Sequence, residues 1–185
     1  MRLTKALRTD QENIARFVSV LGGGTVALSN SKLPRPEFFI RAHNFIKEYI
    51  EEGFFKKEEF LVSVLEDGGF PADSGPIGAL RNDQKKSHDA AESMLHAAKQ
   101  WQAGDEAARS ETGWGTSEFT STIRQHLERL KSLILPLIEQ TISVDEEHII
   151  GEAIHSMAFE GGLKDGAGKY IKLIEELEDQ LSDWK

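Results

Sequence analysis

The chain has 185 residues, of which 39% are hydrophobic and 29% are charged, a composition typical of one globular domain. Its net charge of −9 argues against a nucleic-acid or anionic-membrane partner, because phosphate binding requires clustered Lys and Arg. The absence of cysteine excludes disulfides, thiolate metal ligands and a cysteine nucleophile. No run approaches the roughly 18 apolar residues of a membrane span, and the first residues lack a signal-peptide hydrophobic stretch. We therefore expect a cytoplasmic protein.

The first predicted helix begins near Leu3, where apolar residues recur three and four positions apart. Gln11 interrupts this apolar face with a polar side chain. The run Gly22-Gly23-Gly24 predicts the end of the helix, and residues 25–36 are expected to form a loop.

The second predicted helix begins near Pro36, since proline favours the first helical turn. It extends to Gly68-Gly69, and Gly53 marks a weak point or a close contact within it. Phe54 and Glu58 fall on its inward face.

The third predicted helix begins at the turn Ser74-Gly75-Pro76. Its apolar face is interrupted by Gln84 and His88, which lie four residues apart. The polar, Gly-containing stretch 104–115 predicts a connecting loop.

The fourth predicted helix covers residues 117–141, with His126 on its inward face and Pro136 expected to bend its last turns. Ser143-Val144-Asp145-Glu146 has the capping-box pattern that begins a fifth helix. Gly161-Gly162 predicts its end, and a final amphipathic helix follows.

These elements predict an all-α fold, an antiparallel up-down four-helix bundle with additional short C-terminal helices. We expect one domain over residues 1–185, with the bundle at about 3–141 and the C-terminal helices at about 143–183.

Polar residues on the inward faces mark the one place where the sequence predicts a site. Carboxylates and imidazoles from facing helices form the metal centres of helical bundles, and residues four apart share a helix face. Each predicted helix contributes to this polar set: Gln11, Glu58 with its neighbour Glu59, Gln84, His88 and His126.

At these residues the chain resembles the hemerythrin-like HHE cation-binding domains, over residues 5–160. The subgroup it is similar to reads Glu-His, then His-His-x-Lys-Glu-Glu, then Gly-Pro-Ile leading to a second Glu-His, then His-x-x-Lys-Glu followed by Leu-Phe-Pro. The corresponding places here read Asp10-Gln11, Phe54-Phe55-Lys56-Lys57-Glu58-Glu59, Gly75-Pro76-Ile77 with Asp83-Gln84, and His126-Leu127-Glu128-Arg129-Leu130 with Leu135-Pro136. The resemblance implies the four-helix fold.

The resemblance also implies a non-heme diiron centre that binds oxygen or a related small molecule. Carried over, its first histidine is replaced by Gln11, its second by Phe54 or Phe55, and the next by Gln84. Leu130 stands where the last His-x-x-x-Glu pair has its carboxylate.

The residual metal ligands implied by the resemblance are few. One carboxylate survives as Glu58 or Glu59, and one histidine as His126. His88 stands where some relatives carry a further histidine ligand.

The replacements favour a bundle without a metal cofactor. A buried carboxylate or imidazole without its metal costs several kcal/mol, whereas burial of a Phe or Leu side chain stabilises by about 1.5–3 kcal/mol. The leading hypothesis is a non-catalytic small-molecule-binding, sensory or protein-interaction module. The vacated positions would line its centre, where Gln11 and Gln84 are expected to form a hydrogen bond.

Two alternatives stay open. A mononuclear or dinuclear non-heme protein with iron, or with another divalent metal, would bind oxygen or nitric oxide, or perform an oxidation, through the residual ligands. Whether the chain is an enzyme is therefore undecided, and the sequence favours a protein without catalytic activity. A homodimer would use the last helix and the tryptophans expected at the surface, Trp101, Trp114 and Trp184.

Overall fold

The structure, a computed structural model, describes residues 2–160 and 166–185, which are helical apart from short connections and contain no strand. The first and third helical spans are α1 (Arg2–Asn30) and α4 (Gly75–Gln102). The second span comprises α2 (Pro36–Phe45), a first π-helical segment (Ile46–Phe54) and α3 (Phe55–Asp67). The fourth comprises α5 (Ala108–Arg129), a second π-helical segment (Leu130–Ile134) and α6 (Leu135–Thr141), and it is followed by α7 (Val144–Glu160) and α8 (Gly166–Asp183).

The predicted end of the first helix was wrong. Gly22-Gly23-Gly24 lie inside α1, which continues to Asn30 through the first half of the expected 25–36 loop. A Cβ at Gly23 would lie 2.5 Å from the side chain of Leu181, and one at Gly24 would lie 2.6 Å from the ring of Phe38. The glycines therefore provide space for neighbouring side chains rather than a helix stop.

The second and fourth spans each contain a π-helical segment. Gly53 lies inside the first, in agreement with the weak point expected there. Pro136 lies just after the second and has no backbone N–H to donate to the preceding turn. π-helical turns add a residue to the helix and occur often at functional sites.

The predicted loop at 104–115 is shorter than expected. α4 ends at Gln102 and α5 already begins at Ala108. Gly115 lies within α5, where a Cβ would stand 2.9 Å from the backbone nitrogen of Met94. This glycine allows α4 and α5 to approach closely.

The C-terminal helices begin as predicted. Ser143 N–H donates to Glu146 Oε2 at 2.7 Å, and Glu146 N–H donates to Ser143 Oγ at 3.2 Å, which confirms the capping box. The break expected at Gly161-Gly162 lies outside the described residues. Beyond α8, the Trp184 ring packs 4.9 Å from the Phe38 ring, so the end of the chain contacts the second span.

Most of the core comes from the apolar stripes that the sequence predicts, although Leu133, expected to face inward on the fourth helix, is 38% exposed. The six stripe residues of the first helix are all buried: Leu3, Leu7, Ile14, Phe17, Val18 and Leu21. Within the described ranges, no helix has the length and apolarity needed to cross a membrane.

Only one of the three tryptophans expected at the surface is strongly exposed. The Trp114 side chain is 71% exposed, whereas Trp101 is buried beside Phe39 and Trp184 is covered by Phe38. The expectation was wrong for Trp101 because α5 begins early and packs over it.

Candidate functional site

The centre of the helical fold contains a direct contact between two of the residues that the resemblance implies as residual ligands. Both Glu58, on α3, and His126, on α5, are fully buried. The Nε2 atom of His126 lies 2.7 Å from each carboxylate oxygen of Glu58. Gln84, on α4, donates from its Nε2 to Glu58 Oε2 at 2.9 Å. A glutamate between two donors is satisfied as a carboxylate.

The imidazole of His126 is held in its charged form. Burial lowers its pKa, but the charge of Glu58 and the proximity of Asp83 outweigh burial and raise the pKa to about 9. Near neutral pH the pair is therefore an imidazolium and a carboxylate, with the Nε2–H shared between both oxygens.

A second pair supports the other side of the imidazole ring. Asp83 Oδ2 lies 3.7 Å from His126 Nδ1, too far for a hydrogen bond but close enough for an ion-pair interaction. Arg129 donates from Nε to the same oxygen at 2.7 Å. Burial raises the pKa of Asp83, but its contacts with His126 and Arg129 outweigh this and hold it below the usual range.

Apolar side chains fill the space around this pair. Phe54 and Leu130 are fully buried in the core cluster. The ring of Phe55 meets the His126 ring edge-on, with centroids 5.3 Å apart and planes at 66°. The centre is thus a buried ion pair enclosed by hydrocarbon.

The structure does not bring the remaining predicted site residues to this centre. Gln11 is half-buried in a groove of about 540 Å³ between α1 and α5, so the expected hydrogen bond with Gln84 is not formed. Glu59 points to the surface and pairs with Arg81.

His88 also lies apart from the centre. Its side chain is 51% exposed, and its Nδ1 lies 2.8 Å from Glu51 Oε1. Although burial opposes it, the contact with Glu51, the largest effect, raises the His88 pKa. The pair belongs to the surface between the second and third spans.

Sequence reasoning missed a second buried polar group between α1 and the second span. Lys57 Nζ donates to Asp10 Oδ2 at 2.5 Å, and Tyr49 Oη donates to Asp10 Oδ1 at 2.7 Å. Asn13 Nδ2 completes the group by donating to Tyr49 Oη at 3.0 Å. Burial, the largest effect, raises the pKa of Tyr49, and the charge of Asp10 adds to it.

The two groups correspond in sequence. Asp10 precedes Gln11 as Asp83 precedes Gln84, and Lys57 precedes Glu58 as Arg129 precedes Leu130. The sequence could have indicated these two groups, because a charged residue directly precedes each of four positions that match the family motif. We call Asp10–Lys57 and Asp83–Arg129 the outer ion pairs.

The described residues contain no group of three or more His, Asp or Glu side chains arranged to hold a metal ion. An all-helical protein with charged residues buried between its helices belongs to the class of helical bundles, which can hold a metal or ligand site between facing helices. The family model "Hemerythrin HHE cation binding domain" matches residues 2–138, and the chain belongs to this family. No curated protein and no solved structure matches the chain.

The residues at the centre do not fit a family diiron site. His126 Nε2 and the Glu58 carboxylate are the atoms that would bind a metal. They are instead hydrogen-bonded to each other, because Nε2 contacts both carboxylate oxygens. Two positions where the resemblance implies further ligands carry buried hydrocarbon: Phe54 or its alternative Phe55, and Leu130. Glu58 and His126 are fewer protein ligands than one iron ion requires, and far fewer than a diiron centre requires.

Proposed function

We propose that this chain is a non-catalytic hemerythrin-like module that binds a small molecule or a protein partner and whose metal centre is replaced by the Glu58–His126 ion pair. The observation that carries this proposal is the contact of His126 Nε2 with both oxygens of Glu58 at 2.7 Å, with both side chains fully buried. The imidazolium supplies the positive charge that a metal would supply to the carboxylate.

The energetics support this reading. An unpaired buried carboxylate costs several kcal/mol, and a charged partner with further hydrogen bonds offsets that cost. Glu58 has such a partner in His126 and a further donor in Gln84. The chain therefore keeps a stable centre without a bound cation.

Metal analysis of natively purified protein tests the proposal. We expect fewer than about 0.1 iron, zinc or manganese per chain, since two ligands hold an ion too weakly to survive purification. The His126→Leu variant is the matched control, because any metal bound elsewhere is unaffected by it. One or more metal ions per chain in the wild type, lost in His126→Leu, would refute the proposal.

A non-heme iron protein is the second candidate. Its supporting observation is that Glu58 and His126 remain adjacent in the interior, with Nε2 and Oε1 2.7 Å apart. Anaerobic titration with Fe(II) tests it, since a specific site would saturate at one ion per chain and give a signal that depends on His126. The proposal of a module without metal predicts no saturable binding.

The topology we propose is the up-down four-helix bundle. Asp10 pairs with Lys57 and Asn13 with Tyr49, so contacts between the first and second spans run in opposite chain directions. The second and third spans are also antiparallel, since Glu51 contacts His88 and Glu58 contacts Gln84. The third and fourth spans are antiparallel by the contacts of Asp83 with Arg129 and of Met94 with Gly115. The first and fourth are antiparallel by the contacts of Gly22 with Arg124 and of Leu28 with Gly113.

We also propose that Phe54, rather than Phe55, occupies the vacated histidine position. Phe54 lies four residues before Glu58, as His126 lies four before Leu130, and the outer ion pairs follow the same spacing.

A homodimer through the exposed Trp114 is a further proposal, which light scattering at high concentration tests. The net charge of −9 supports a protein that binds neither nucleic acid nor anionic membranes. Cytoplasmic location stays a proposal.

A further inference from the structure

A cavity of about 620 Å³ lies where the end of α1, the α1–α2 loop and the start of α5 meet. Three cationic side chains line it, Lys32, Arg35 and Arg109. Trp101, which also lines it, stands 17 residues beyond Gln84 on α4, or about 25 Å along the helix. The cavity is therefore separate from the Glu58–His126 centre.

Arg109 is fixed in place by the protein itself. One of its terminal nitrogens donates to the backbone oxygens of Leu28, at 2.9 Å, and of Ser31. Its guanidinium carbon lies 5.4 Å from the centre of the Trp101 ring. A guanidinium has five N–H donors, and these contacts engage only one of its nitrogens. The other donors face no acceptor in the described residues.

The other two cations have no structural role that explains their position. Arg35 donates from one nitrogen to the backbone oxygen of Lys32 at 3.4 Å, and both side chains are exposed. Among the described residues, none of the three cations lies within 4.0 Å of a carboxylate. Glu106 is the single acid among the residues that line the cavity. A protein of net charge −9 thus gathers an excess of two positive charges at one concavity.

The backbone around the cavity adds to its preference for anions. α2 begins right after Arg35 and α5 begins between Glu106 and Arg109, and neither helix has a side-chain cap at its N-terminus. The start of a helix carries partial positive charge from the aligned backbone dipoles. At α5 this charge is partly offset, because Ala107 N–H already donates to Asp105 Oδ1 at 3.1 Å. The hydroxyl of Ser31 accepts a bond from Leu33 N–H, which leaves its own proton available to donate.

We propose that this cavity binds a small phosphomonoester, with the phosphate held by Lys32, Arg35 and Arg109. Arginine matches the fork geometry of phosphate oxygens, and lysine adds a mobile point charge. The cavity exceeds the volume of a phosphate ion, so an organic group attached to it would lie beside Trp101. The hydrogen bonds to the carbonyls at the end of α1 account for the position of one Arg109 nitrogen. They do not account for the positions of Lys32 and Arg35.

Isothermal titration at constant ionic strength tests the proposal, with phenyl phosphate and inorganic phosphate as probes and sodium sulfate as a competitor. The test variant is Lys32→Gln with Arg35→Gln, two exposed changes that leave the Arg109 contacts intact. The matched control is Arg8→Gln with Lys131→Gln, the same change of charge in the groove between α1 and α5. Circular dichroism of each variant verifies that it remains folded.

We expect phenyl phosphate to bind more tightly than inorganic phosphate, and the test variant to lose about tenfold or more in affinity, the loss typical of charge-assisted hydrogen bonds. The control should change affinity by less than about threefold, since its charges act only through screened solvent. Equal weakening in both variants would overturn the proposal, because it would show a nonspecific charge effect. Absence of wild-type binding of either probe at about 10 mM would overturn it as well.

Discussion

Raising the pH should remove the contribution of the buried ion pair to stability. The pKa of His126 is about 9 in the folded protein, against an ordinary value of 6.5. Because the folded pKa is the higher one, the folded state holds its proton more tightly, and the stabilisation is fully present below pH 6.5. It is lost as the pH rises through about 9.

The size of the loss follows from the same two values. Each tenfold difference in proton affinity is worth 1.36 kcal/mol, so a rise from 6.5 to about 9 corresponds to about 3 kcal/mol. The His126 side chain is completely buried, so solvent does not screen the interaction. Most of this free energy should still be present at pH 7 and nearly none at pH 10.

Urea unfolding at pH 6, 8 and 10 measures the effect. The control is the double variant Glu58→Leu with His126→Leu, in which the pair is replaced by hydrocarbon. Lys and Tyr residues also titrate at high pH, but they do so in both proteins and cancel in the difference. The wild type should lose about 3 kcal/mol relative to the double variant between pH 6 and 10.

A difference between the two proteins that stays constant over this range would refute the reasoning. It would mean that His126 does not change its charge there and that no imidazolium stabilises the carboxylate. A difference that moves in the opposite direction would show that the folded state lowers the pKa of His126 and that burial dominates.

Three further predictions follow from the core. His126→Leu alone should destabilise the protein by about 3–5 kcal/mol, because it leaves a buried carboxylate without its cationic partner. The double variant should recover most of this loss in urea unfolding. A single variant as stable as the double variant would contradict the prediction. Gly115→Ala should cost about 1–3 kcal/mol by forcing α4 and α5 apart, whereas the control Gly168→Ala, which contacts nothing within 4 Å, should not lower the Tm. Phe54→His combined with Leu130→Glu should create saturable divalent-metal binding by titration, absent in either single variant; no binding would refute their assignment as vacated ligand positions.

The helical spans were predictable because apolar residues recur at helical spacing along each of them, and the few polar residues on these faces do not hide the period. Pro36 and the Ser143 capping box marked helix starts correctly for local chemical reasons. The glycines misled because a glycine ends one helix and opens a close contact in another, and sequence alone does not distinguish the two. Gly23 meets Leu181, which is 158 residues away in the sequence and therefore invisible to any local pattern.

The candidate site was predictable in part. Glu58 and His126 were expected at the centre and are there, whereas His88 is not. It follows Gln84 by four residues, and this turns it about 40° further around the helix. That rotation places it at the surface beside Glu51.

The π-helical segments explain why a histidine position could not be fixed from the sequence. The first ends at Phe54, directly before Phe55, so the choice between the two residues falls on its boundary. A π-helical turn includes an extra residue, which shifts the register of a motif by one position. The second segment starts at Leu130, where the resemblance implies a carboxylate ligand. The register therefore changes at both places, and the choice of Phe54 stays a proposal that depends on its spacing of four residues from Glu58.

The charges at the centre support the same conclusion as its geometry. Each of the three ion pairs between the helices joins one acid to one cation, so their summed charge is zero: Asp10 with Lys57, Glu58 with His126, and Asp83 with Arg129. A divalent cation is drawn into a protein interior by uncompensated negative charge and by free ligand atoms. Here each carboxylate already has a cationic partner, and a metal would have to displace His126 from Glu58 first. Under the proposed function, the outer ion pairs link neighbouring helices while the central pair supplies the positive charge that a metal would otherwise supply to Glu58.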